Sequence, residues 1–218
     1  MFSRDNRDLD LHLVPEVVEL CAACDNALSA PGGSLLLAGS SGVGRRAAVS
    51  VVSALHRAKL VTFSMGTGRP FSLQERRVVG LLLYHFCLYG AGYGIKQFKA
   101  ELKASMQLAG VEGQQVFMVL EDHNLNVNPA FLDMINSLLS SGEVPGLYSP
   151  EELEPLLASL REQASSQGVS NLFTFFAQNV KANLHIVLIM ESKSDSFLRN
   201  CESNPAIYKQ CRQAFKHT

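Results

Sequence analysis

Residues 34–38, Ser-Leu-Leu-Leu-Ala, run directly into Gly39-Ser40-Ser41-Gly42-Val43-Gly44. A strand that is apolar at consecutive positions is buried on both faces, which happens in parallel sheets covered by helices. Beyond the glycines, Ala47, Ala48, Val51, Val52 and Leu55 resume helical spacing. Strand, glycine turn, helix is the opening of a parallel α/β unit. The rest of the chain continues in kind. Residues 60–64, 115–120 and 184–190 read as further buried strands. Residues 95–110, 131–139 and 172–180 read as helices, the first with Phe98, Leu102, Met106 and Ala109 inward. Ser149-Pro150-Glu151-Glu152 is a capping box with proline at the first helical position, so another helix starts there, bent at Pro155. An N-terminal helix over 14–28 places Val14, Val17, Val18, Cys21, Cys24 and Leu28 on one face. The expectation is a three-layer α/β domain with four buried strands in a parallel sheet.

Charge and length remove several function classes. With 19 Lys+Arg against 20 Asp+Glu there is no basic surface to drive nucleic-acid binding. No apolar run reaches the roughly 18 residues that span a bilayer, and the start, MFSRDNRDLD, is too charged for a secretory signal. The cysteine count of 5 is odd, which fits a reducing, cytoplasmic compartment better than a disulfide scaffold. Cys21-Ala-Ala-Cys24 has redox spacing but lies within a helical pattern, where a pair of structural thiols is expected.

Gly39-Ser40-Ser41-Gly42-Val43-Gly44-Arg45-Arg46 has the spacing of a phosphate loop, in which backbone N–H groups wrap an anion at a helix N-terminus. A glycine turn alone is weak evidence, since ordinary strand–helix turns share it. Arg45 stands at the loop lysine, and Arg46 at the Ser/Thr that binds magnesium, which an arginine cannot do. The strand over 115–120 ends in Glu121-Asp122, the reverse of the usual Asp-then-Glu that holds the metal and polarises water. Each carboxylate is thereby displaced by about one methylene, and shifts near 1 Å can cost roughly 10²-fold in rate. The strand over 184–190 ends in another acid, Glu191, where phosphate-loop ATPases carry a neutral sensor.

Five stretches resemble the fourth AAA+ module of dynein heavy chains, most of all the intraflagellar-transport branch of that family: residues 31–47, 93–104, 131–157, 183–191 and 201–206. The segment NSLLSSGEVPGL, Asn136 to Leu147, is the most specific. The resemblance implies the large subdomain of an AAA+ phosphate-loop NTPase, set in a ring of such modules within a far longer polypeptide. It implies neighbouring modules and dynein accessory chains as partners, microtubules indirectly, and a cytoskeletal, ciliary location. Gly39, Gly42 and Gly44 match the family, while Arg45, Arg46, Glu121, Asp122 and Glu191 depart from it. In Pro205-Ala206-Ile207-Tyr208-Lys209-Gln210-Cys211, Gln210 replaces the family's arginine finger, and Lys209 cannot make its bidentate fork.

These departures lead to a degenerate, non-hydrolysing module that holds ADP or ATP without a clear magnesium site, with no catalytic residue assigned. Two other readings fit the same residues: an active ATPase with Arg45 in place of lysine, and a stand-alone phosphate-loop NTPase or kinase. Residues 65–92 exceed the family pattern and are expected to be an insertion or a gene-model artefact. The end of the chain, Arg212 to Thr218, lacks a buried-strand pattern. A fifth strand and the small helical lid are therefore expected to be missing from a fragment, with the strand over 34–38 open on one side.

Overall fold

A computed structural model describes residues 15–63 and 94–216; the expected insertion, 65–92, and Val14 fall outside the described residues. The chain opens with α1 (Pro15–Leu28), β1 (Ser34–Gly39), α2 (Arg45–His56) and β2 (Lys59–Thr62). It continues through α3 (Ile95–Gly110), β3 (Val116–Glu121), α4 (Asp122–Leu125), α5 (Pro129–Ser141), α6 (Pro150–Ser159) and α7 (Arg161–Ser166). It ends with α8 (Leu172–Asn183), β4 (Leu184–Glu191), α9 (Asp195–Ser203), α10 (Pro205–Gln210) and β5 (Cys211–Lys216). The sheet runs β2-β3-β4-β1-β5, and every pairing is parallel.

Side chains alternate between the two faces as the strand repeat requires. Leu36, Ala38, Met118, Leu120, Ile186 and Leu188 join one apolar cluster with Phe98, Leu102 and Met106 of α3, Phe131 and Ile135 of α5, and Phe176 of α8. Leu35, Leu37, Phe117, Val119, Val187 and Ile189 join a second cluster with Leu20 and Cys24 of α1 and Ala48 and Val52 of α2. The continuous apolar strands of the sequence are thus the middle layer of a helix–sheet–helix sandwich. The capping box forms at α6, where the Glu152 N–H donates to Ser149 Oγ and Glu152 Oε2 accepts from the Ser149 N–H. Among the described residues no helix is long and apolar enough to cross a membrane.

Three expectations need correction. The sheet has a fifth strand: β5 pairs with β1 over its whole length, from Ser34 opposite Cys211 to Gly39 opposite Lys216. An edge strand pairs on one side only and so does not need a continuous apolar sequence. Cys211 is buried, while Arg212 points away and hydrogen-bonds Asn26 on α1. Because β1 is flanked by β4 and β5, it is not open on one side. The helix faces are also rotated from those read in the sequence. Val18 is 51% exposed and Leu55 52%, whereas Leu20, Ala27 and Val49 are buried. The inward stripe of each helix follows the residues that reach the sheet, not every apolar position at helical spacing.

Candidate functional site

The glycine loop leaves the carboxyl end of β1 and enters α2. Gly42 and Gly44 have φ of 86° and 79°, the left-handed region that glycine adopts without a Cβ penalty. Gly44 caps α2 and offers no side chain to its first turn. The N–H groups of that turn have no intrahelical partner and are available to an anion. A Cβ on Gly44 would meet Val17 Cγ2 at 2.9 Å, so α1 is packed directly against the loop. Ser41 and Gly42 are exposed, and Ser40 and Val43 are half-buried.

Strand register carries the acids to the same edge. Gly39 lies opposite Glu191 on β4, and Glu121 lies opposite Ile189 on that strand. The loop also marks the topological switch of the sheet. The connection from β1 leads toward β3 and β2, and the one from β4 leads across β1 to β5. Ligands of open parallel sheets bind at this place.

The two arginines divide. Arg45, 9% exposed, turns inward beneath the loop, and its Nη1 donates to the carbonyls of Met190 at 2.6 Å and Leu37 at 3.3 Å. Arg46 turns outward, and its guanidinium makes a two-pronged ion pair with Glu121, Nε to Oε1 and Nη2 to Oε2. His123 Nδ1 lies 3.6 Å from Glu121 Oε2. Ser41 Oγ donates to Glu191 Oε2 at 3.0 Å, tying the loop to the end of β4. Asp122 Oδ2 accepts the backbone N–H of Glu191, while its Oδ1 is buried without a hydrogen-bond partner. Burial pushes the Asp122 carboxyl up; the Glu191 N–H and Arg45 oppose that. The Cys201 thiol of α9 is raised by burial and by the charge of Asp122, and so belongs to the surroundings of this carboxylate.

The structure therefore brings Gly39–Arg46, Glu121, Asp122 and Glu191 into one place. Gln210 is elsewhere. It ends α10 immediately before β5 and lines a small cavity with Gly32 and Ser34, at the amino end of β1, the opposite edge of the sheet from the loop. Two supporting residues were missed in the sequence. Asn124, buried in α4, accepts from the Glu121 N–H and donates to the Phe63 carbonyl, each at 2.9 Å, and so joins the ends of β3 and β2. An amide at the third helical position after a strand end is the signal that could have found it. Val17 was read as a core residue, and its contact with the loop has no sequence signal.

A phosphate loop implies a nucleotide and Mg²⁺. Backbone N–H groups at the head of α2, behind a loop shaped by positive-φ glycines, fit a phosphate. The side chains do not fit Mg²⁺. Position 46 has no hydroxyl, and both oxygens of Glu121 are engaged by Arg46. One oxygen of Asp122 is held by a backbone N–H. Among the described residues, no group of three or more His, Cys, Asp or Glu is placed to hold a metal.

A parallel sheet of this order, with a glycine loop after its first strand and acids at the ends of two neighbouring strands, defines a phosphate-loop NTPase fold. The chain belongs to the dynein heavy-chain family: residues 86–217 match the family of the P-loop containing dynein motor region D4. The match begins inside the stretch that was set apart as an insertion. The chain is 51% identical over 211 residues to cytoplasmic dynein 2 heavy chain 1 of Tripneustes gratilla, covering 96% of this chain and 4% of that protein. It is 50% identical over 212 residues to the Homo sapiens protein of the same name, covering 97% of this chain and 4% of the relative. The Chlamydomonas reinhardtii protein of that name is 39% identical over 214 residues, covering 96% of this chain and 4% of the relative. The chain thus spans about 4% of the length of these curated relatives.

Proposed function

We propose that this chain is a nucleotide-holding, non-hydrolysing module of a dynein motor ring. The observation that carries this reading is the state of the two arginines and the strand-end acids. Phosphoryl transfer needs a metal-bridged phosphate, a free cation and a positioned attacking water. Here Arg45 is spent on strand carbonyls, Arg46 on Glu121, and Asp122 on the Glu191 backbone. Glu121 has both oxygens engaged by Arg46, Asp122 has one held by a backbone N–H, and Glu191 has one held by Ser41. The loop and the head of α2 retain what phosphate binding needs. Asp122 and Glu191, which Arg46 does not clasp, make ADP the better occupant, because a third phosphate would bring more negative charge toward them.

Within a complete heavy chain, the module contacts neighbouring AAA+ modules and transmits conformational change between them. Accessory chains and microtubules engage other parts of the same polypeptide. By kinship with the dynein 2 heavy chains, the motor is assigned to minus-end-directed, retrograde intraflagellar transport, on the ciliary cytoskeleton. The test is steady-state phosphate release from the purified chain supplied with ATP and Mg²⁺. No release above background is expected. Sustained release proportional to chain concentration, and diminished by Gly42→Val, would overturn the reading.

A further inference from the structure

The mismatch between the loop and a divalent cation has a specific chemical form. Arg46 is the second residue of α2, the position from which a hydroxyl would reach a metal. Its guanidinium engages Glu121 at the end of β3, so it spans the same two elements that a metal ion joins in a phosphate-loop site. The fork uses Nε–H and one Nη2–H. Arginine carries five N–H donors, so three remain. The Arg46 side chain is 68% exposed, whereas that of Glu121 is 19% exposed, so the unused donors face solvent and the carboxylate sits behind them. They lie at the head of a twelve-residue helix that has no side-chain cap, beside backbone donors that favour an anion. The group can therefore hold Glu121 on one side and a phosphate oxygen on the other, as a bridging cation does.

Mg²⁺ has little to bind here in competition. It demands octahedral oxygen ligands at about 2.0–2.1 Å. Glu121 cannot supply one without giving up the fork, and Asp122 cannot turn without abandoning the Glu191 N–H. Of the other carboxylate oxygens at this edge, Asp122 Oδ1 is buried and Glu191 Oε2 accepts from Ser41 Oγ.

We infer that this site takes no divalent cation. Arg46, clasped by Glu121, is its fixed counter-charge, and a nucleoside diphosphate binds without Mg²⁺. Arg46 is thus a specificity-determining residue: it selects the metal-free diphosphate over the metal-bound triphosphate. This rests on the reading that the loop holds a nucleotide.

The test is titration of the full chain with a fluorescent ADP analogue in two arms, one with EDTA and one with millimolar Mg²⁺. Wild-type affinity is expected to be no tighter with Mg²⁺ than with EDTA, and weaker in proportion to the free ADP that Mg²⁺ sequesters. Arg46→Thr is expected to lower affinity in EDTA by about tenfold or more. Circular dichroism checks that the variant folds. Should it not fold, Arg46→Lys takes its place, and is expected to weaken binding equally in both arms because an ammonium cannot make the fork. Wild-type binding that strengthens about tenfold or more with Mg²⁺ overturns this inference alone. So does an unchanged affinity of the substituted chain in EDTA. Loss of binding by the folded wild type in both arms overturns it together with the nucleotide-holding function.

Discussion

Asp122 is the residue whose two oxygens have opposite fates. Oδ2 accepts the Glu191 N–H, and Oδ1 is buried with nothing to accept. Replacing a hydrogen-bond acceptor costs most when it strands the partner. Asp122→Ala should therefore lower stability by about 1–3 kcal/mol, because the Glu191 N–H loses its acceptor. Asp122→Asn keeps an oxygen for that N–H and removes a charge that burial disfavours, but puts an amide NH2 at the unpartnered Oδ1 position, so it should cost less than Asp122→Ala without matching wild type. Urea denaturation of the two variants decides the matter; equal losses would mean that the charge, not the acceptor, is what the site requires. This distinction was not legible in the sequence. The spacing of Gly39, Gly42, Gly44, Glu121 and Glu191 identified which residues converge, because strand ends and a glycine turn share one sheet edge. It did not identify their pairing. An arginine side chain is long enough to reach carbonyls below or a carboxylate beside it, and a string of letters does not distinguish Arg45 from Arg46 in that respect.

At the scale of elements, α1 packs against the head of α2 at Gly44. A side chain at Gly44 is strained by φ and also meets Val17. Gly44→Ala should cost about 1–2 kcal/mol from the backbone alone, with the clash added. In a double-mutant cycle, Val17→Ala should recover the clash but not the backbone penalty. The coupling is therefore expected to be favourable and near 1 kcal/mol, read from thermal or urea denaturation. Zero coupling would show that α1 yields freely and does not brace the loop. Other elements differ in how plainly the sequence announced them. α3 coincides with its expected limits, Ile95 and Gly110, because an amphipathic repeat of four turns is strong. α4, α9 and α10 escaped notice because each is short, and short helices take their stability from what they pack on. α10 illustrates this. The Ala206 N–H donates to Asn136 Oδ1 on α5 at 2.9 Å, and Ile207 is fully buried in the core. β5 escaped for a different reason, since an edge strand carries a weak apolar signature.

At the scale of the molecule, the sheet is completed by a strand distant in sequence from its partner. Ending the chain at Gln210 would remove β5 and leave one edge unpaired on β1, a strand buried at every position. Such an edge recruits other chains. The shortened chain is expected to self-associate at micromolar concentration and to melt at a lower temperature, whereas the chain through Thr218 remains monomeric. Sedimentation velocity and a thermal melt check this, and a monomeric, cooperatively melting short form would sink it. The same strand bears on how the protein is made. Arg212 on β5 reaches back to Asn26, 186 positions earlier. Contacts of such separation are slow to form, because the closure entropy of the long intervening chain opposes them until they are complete. On a ribosome, nearly every residue described here emerges before β1 gains its second neighbour. During that interval β1 is an adhesive surface, and the nascent chain has an extended window in which a chaperone that shields strand edges decides between folding and misassembly.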